Sequence, residues 1–246
     1  MLKDENSVTE SAGKGVSDLV FLPTKDIKMC VMLASVLVWL VGVVRILYIG
    51  LFGNETFLRG LQKFNLDDDL SIPSWYSAIL LFISALLIFL IAKASQRRDE
   101  RNTFHWVLLG LIFLFLSMDE SIAIHEMSLP LASKLGLSGV FTFVWVLAAI
   151  PIVVVLGIFY IPFLLRLTRG IAIKMIIAGA IYVFGIVGMG MISGAVFSEL
   201  GHQKTFMFSI LTAVEEGLEI LGLTLFIIVL LEYLSKNLSE LKYAFR

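Results

Sequence analysis

The chain has 246 residues, of which 59% are hydrophobic and 16% charged, and its mean hydropathy is +0.94. A soluble domain carries about 25% charged residues, so a soluble globular fold is excluded; 19 Phe exclude disorder, and 5 Pro with one Cys exclude collagen-like and disulfide-rich classes. The net charge of −1 offers no basic surface to nucleic acid. What remains is an all-α, polytopic transmembrane helix bundle whose first partner is the lipid bilayer.

In chain order, residues 1–28 form a polar tail (Lys3, Asp4, Glu5, Glu10, Lys14, Asp18). The first apolar segment, 29–52, is longer than a signal-peptide core and has no A-x-A site behind it, so it reads as a retained helix. It carries the lone Cys30 and, toward its far end, Arg45. Asp67-Asp68-Asp69 reads as a solvated surface run before the second span, 75–93. The third span, 104–127, is apolar from Trp106 to Leu116 and then turns polar. His105 follows Arg97, Arg98 and Arg101 and precedes Trp106, the pattern of an interfacial residue. The fourth span, 139–165, contains Pro151 and Pro162, which are expected to kink it. The fifth, 171–197, is rich in glycine; Gly190 and Gly194 form a G-x-x-x-G that favours close packing within one bundle, the other use being a homo-oligomer face. The sixth is 206–233, and a short tail closes the chain at 236–246. Six spans of about 20 residues each match the length a bilayer demands.

Lysine and arginine counts orient the bundle. Lys93, Arg97, Arg98 and Arg101 follow span 2, and Arg166, Arg169 and Lys174 follow span 4. Lys236, Lys242 and Arg246 end the chain, and Lys3, Lys14, Lys25 and Lys28 begin it. The alternate loops are poorer, with Arg59 and Lys63 offset by Glu55 and the aspartates, and one lysine each in Lys134 and Lys204. Both termini are therefore expected in the cytoplasm.

Three segments carry the chemistry: Ser117-Met118-Asp119-Glu120-Ser121-Ile122-Ala123-Ile124-His125-Glu126, Glu199-Leu200-Gly201-His202, and Glu215-Glu216-Gly217-Leu218-Glu219. At about 1.5 Å per residue, Asp119 lies about 22 Å from the inner edge, and Glu215 and Glu219 about 13 to 20 Å below the outer one. All three segments, with Arg45, fall in or near the outer half of a core about 30 Å thick. Continued as one helix, Asp119 and Glu126 would project within about 20° of each other, and Glu215 and Glu219 within about 40°. A carboxylate at a helix centre costs about 2.5–3.5 kcal/mol on insertion scales, so the three in span 6 cost roughly 8–10 kcal/mol. Seven acids face only Arg45 and two histidines. The balance must come from protonation, hydration in a cavity or bound metal.

Oxygen-rich donors with one or two imidazoles suit iron, manganese or zinc. Asp119, His125, Glu126, Glu199, His202, Glu216 and Glu219 are the candidate ligands, Glu215 and Glu120 the candidate catalytic proton carriers, and Arg45 the counter-ion to Asp119 or Glu216. Glu199-x-x-His202 has the spacing of one di-iron carboxylate ligand pair, while the other segments lack a second Glu-x-x-His. No nucleophile elbow or phosphate-binding glycine loop is present.

The stretches FLSMDESIAIHE and VEEGLEILG resemble those of a set of uncharacterised bacterial multi-pass inner-membrane proteins. The resemblance covers spans 3 and 6 and the six-helix layout; it implies a bacterial inner membrane, with the site toward the periplasm, and no particular activity. Three functions are compatible with the residues: a metal-dependent membrane protein, acting as an enzyme on a lipid or other apolar small molecule; a proton- or cation-coupled carrier; and an accessory subunit of a membrane complex.

Overall fold

The computed structural model describes residues 24–53, 59–68, 70–128, 131 and 134–241, with side chains to 236 in the last helix. Most of the tail expected at 1–28, the charges at Glu55 and Arg59, Asp69, and the end of the C-terminal tail lie outside the described residues or side chains. The chain is all-α, and among the described residues six helices are long and apolar enough to cross a membrane. They are α1 (Thr24–Phe52), α2 (Ile72–Arg97), α3 (Thr103–Ile122), α4 (Trp145–Arg166), α5 (Arg169–Glu199) and α6 (Phe206–Leu241).

The ends are set by local chemistry. Ser71 caps α2, its side chain accepting from the Ser74 N–H at 3.2 Å, and Pro73 sits in the first turn where its missing N–H costs nothing. Residues 24–28, read as tail, are instead the first turn of α1. Residues 236–241, also read as tail, continue α6. The third span is shorter than its sequence implied. It stops at Ile122 because Ala123 adopts a left-handed conformation (φ 52°), which ends the backbone ladder. The fourth helix runs unbroken through Pro151 and Pro162.

The helix α6 is central. It packs on α1, α2 and α5, and α2 in turn packs on α3. Glycines allow the closest approaches. A Cβ at Gly217 would fall 2.6 Å from Trp39 Nε1 of α1, and one at Gly222 would fall 2.7 Å from the Tyr182 backbone nitrogen of α5. The Trp39 indole donates to the Ala213 carbonyl at 2.8 Å, and Ser35 joins Tyr76 (2.9 Å) and Thr224 (2.6 Å), tying α1, α2 and α6 through hydroxyls. Gly190 and Gly194 of α5 pack on Trp145 and Phe143 of the same chain, so intramolecular packing occupies that face.

At one end of the bundle, His105, Trp106, Tyr160, Phe163 and Phe226 form an aromatic-rich core. Tyr160 donates its hydroxyl to the His105 carbonyl at 3.0 Å, joining α4 to α3. At the other end lie the connecting residues 123–128, 134–144 and 200–205. The helix α4 stands apart: it touches α5 lightly, α3 near His105, and the turn at His125–Ser128 through Trp145.

Candidate functional site

A cavity of about 950 Å³ lies between α3, α4, α5 and α6. That is the upper end of the size range of small-molecule sites, about 300–1,000 Å³. Its deep part, toward His105, is apolar: Ile112, Leu116, Leu156, Phe163, Met175 and Phe226 line it. Its other part, toward His125, is acidic. Asp67, Asp119, Glu120, Glu126, Glu215, Glu216 and Glu219 all border it, with His125 and Lys204 as the basic side chains there.

Each acid is placed by a particular turn of backbone. The left-handed Ala123 costs about 1–2 kcal/mol for a non-glycine residue and folds the chain back on itself. The continuous helix expected to align Asp119 with Glu126 is therefore absent. Instead Asp119 Oδ1 accepts the His125 backbone N–H at 2.9 Å and its Oδ2 lies 3.1 Å from His125 Nδ1. A carboxylate on Nδ1 holds the ring in the tautomer with its proton there and leaves Nε2 as the basic nitrogen. The imidazole stands edge-on to Trp145 of α4, centroids 5.8 Å apart.

On α6, Glu215 accepts a hydrogen bond from the Ser193 hydroxyl at 3.1 Å and lies within electrostatic reach of His125 and Asp67. Glu219 is buried, with Glu216, Glu120 and Glu215 as its charged neighbours. The acids of α3 and α6 meet around Tyr182, on which Glu219, Glu120, Asp119 and Glu216 all act. A π-helical stretch, Phe184–Met189, presents Gly185 to Glu219: a Cβ there would come within 3.0 Å of the glutamate Cγ and 3.1 Å of its backbone nitrogen. Stretches of this kind concentrate at functional sites.

Seven of the nine residues expected to bind metal or carry protons therefore line one cavity. Glu199 and His202 do not; both are exposed, with His202 in a left-handed turn (φ 63°) against Phe197, because α5 ends at Glu199 and the loop turns outward. Among the described residues Arg45, expected as counter-ion to Asp119 or Glu216, is not paired with either. Its Nη1 donates to Asn65 Oδ1 at 2.9 Å, and no ion pair among the described residues includes it. Asp67, read as part of a solvated run, is instead paired with Lys204 at 2.7 Å on the cavity rim. Sequence reasoning passed over Tyr182 and Trp145, which sit in apolar helices with no spacing that distinguishes them from core aromatics. His105, read as interfacial, is stacked between Phe159 and Phe163 at the opposite end.

No three His, Cys, Asp or Glu side chains among the described residues converge as a metal-ligand set in this conformation. Residues 29–234 match DUF8692, described as a domain of unknown function. The chain belongs to the DUF8692 family. No curated protein and no solved structure matches this DUF8692 chain.

Proposed function

We propose that this integral membrane protein binds an amphiphile whose long apolar tail fills the deep half of the cavity and whose head, bearing or bridged by positive charge, sits among the acids. The observation that carries this reading is the polarity gradient of one cavity: apolar walls from Phe163 to Leu116, then seven carboxylates against His125 and Lys204. A carboxylate cluster at that depth is costly, by about 2.5–3.5 kcal/mol for each acid near the helix centre, and a cationic occupant offsets that cost.

The chemistry available there is proton transfer. His125, held by Asp119, has the arrangement of an oriented general base. Glu215, held by Ser193, supplies a second proton carrier. Glu216 and Glu219 hold the cationic end. A divalent metal, iron, manganese or zinc, is the second reading, favoured by the Asp119–His125 pair, since a carboxylate behind an imidazole is the usual support of a metal ligand. The lysine and arginine distribution supports an acidic end at the outer face, and the resemblance of the two acidic stretches supports a bacterial inner membrane.

Native mass spectrometry and metal analysis of the detergent-purified chain test both readings. A co-purified amphiphile that is lost in Glu216→Ala/Glu219→Ala supports the first. Stoichiometric metal lost in the same variant supports the second. An empty, metal-free, folded wild type overturns both.

A further inference from the structure

We propose that the seam between α3 and α4 is a lateral portal through which the tail of an amine-headed membrane lipid enters the cavity directly from the bilayer core. This rests on the amphiphile reading of the site.

The helix α4 meets α3 at one end and, at the other, the His125–Ser128 turn beyond α3. Near one end, Phe104 meets Phe159 (6.4 Å) and His105 stacks on Phe159 and Phe163 (5.1 and 5.5 Å). Near the other, His125 meets Trp145. Along the intervening length the helices make at most marginal contact. The residues along this seam line the cavity and are not covered by other helices: Leu111, Phe115 and Ile152 are 51%, 54% and 56% exposed. At about 1.5 Å per residue, Phe115 and Ile152 stand at nearly the same height, since α3 and α4 run antiparallel from Thr103 and Trp145. In a spanning bundle that height lies within the hydrocarbon core, about 30 Å thick. An opening lined by Leu, Phe and Ile at that depth admits a tail and excludes water.

Charge names the head. A tail drawn in from the seam leaves its polar end beside Asp119, Glu120, Glu216 and Glu219, where an ammonium is attracted and a phosphate monoester repelled. The other side of α4 is less suited as the door. A two-residue turn, Leu167-Thr168, ties α4 to α5, and α4 also packs on the π-helical stretch.

The test uses the full chain in phosphatidylcholine vesicles with a long-chain alkylamine carrying a mid-tail diazirine. Irradiation and peptide mapping are expected to find adducts inside, on Leu116 and Phe226, and outside, on Leu37 of α1. In a Cys30→Ser background, Phe115→Cys/Ile152→Cys joined by a bis-maleimide should abolish the interior adducts and leave those on Leu37. The same protein without linker is its own folding reference, and Leu111→Trp, which adds bulk at the exposed edge, should slow interior labelling without any cross-link. A bridge on the far side of α4, Gly157→Cys/Ile176→Cys, should change nothing. Interior adducts that survive the α3–α4 bridge, or that vanish only with the far-side bridge, overturn the portal and leave the amphiphile reading standing. Absence of interior adducts in the unbridged protein overturns the portal, and the co-purified occupant then decides the amphiphile reading separately.

Discussion

Gly222 of α6 lies directly against the backbone of Tyr182 on α5: a Cβ added to the glycine would stand 2.7 Å from the tyrosine nitrogen and 2.8 Å from its Cα. No side-chain rotation relieves a clash with backbone. This contact fixes how near the two helices come, and so how near the Tyr182 ring comes to Glu219.

Gly222→Ala should therefore force α5 and α6 apart. We expect a loss of about 1–3 kcal/mol, the usual range for overpacking, read as a lower Tm in detergent. Gly179→Ala is the matched control on the same α5 face; nothing lies within 4 Å of its added Cβ. It should hold or raise Tm, since alanine is favoured over glycine in a helix by about 1 kcal/mol.

Asp119→Asn should release His125. An amide cannot reproduce a carboxylate that accepts from both the backbone N–H and Nδ1. Hydrogen bonds to a charged partner contribute about 1.5–3 kcal/mol. The ring nitrogens of ¹⁵N-labelled His125 should shift from a single tautomer to a mixture. An unchanged spectrum would show that the pair does not set the tautomer.

Glu219→Gln should stabilise the fold and weaken the site. The carboxylate is buried among Glu216, Glu120 and Glu215. Replacing this buried acid with a neutral amide removes the cost of keeping a carboxyl there and should raise stability by about 1–3 kcal/mol, within the insertion cost of a membrane acid, while retention of a co-purified amphiphile or metal falls. A Tm that drops instead would mean the glutamate holds a structural partner.

Lys204→Ala should leave Tm nearly unchanged. The Lys204–Asp67 pair is short at 2.7 Å, but the lysine side chain is 58% exposed, and exposed pairs contribute about 0–1 kcal/mol. Its effect should appear in the exchange rate of whatever occupies the cavity, because the pair spans the rim.

The six helices were legible in the sequence because lipid imposes one strong demand, a long apolar run, and every span meets it. Depth arithmetic set the acids of α3 and α6 at similar levels, and they do border one cavity, since rise per residue is nearly constant in a helix. It failed where the helix stopped. Nothing in Ile122-Ala123-Ile124 announces a left-handed alanine, as that position usually takes glycine, so His125 was assigned to the wrong turn and its pairing with Asp119 was invisible. Glu199 and His202 had ligand spacing, but the loop that follows α5 points them outward. Asp67 and Lys204 are separated by 137 residues, and no local pattern could join them. Tyr182 was illegible for the opposite reason: an aromatic in an apolar helix is the commonest thing such a helix contains.

The π-helical stretch at Phe184–Met189 acts as a phase adjuster. One extra residue in a turn rotates everything beyond it by about 100° relative to an uninterrupted α-helix. Upstream, Tyr182 faces Glu219; downstream, Ser193 faces Glu215. Tyr182 and Ser193 are eleven residues apart, within about 20° of each other in an uninterrupted α-helix, so the extra residue sets them roughly 80° apart and spreads α5 across both glutamates. A chain one residue shorter within 184–189, wound as plain α-helix, would keep Ser193 in nearly its present direction and would lose the widened turn that presents Gly185 to Glu219. A single-residue deletion among apolar residues would thus redraw the wall against Glu219 without altering any charged side chain.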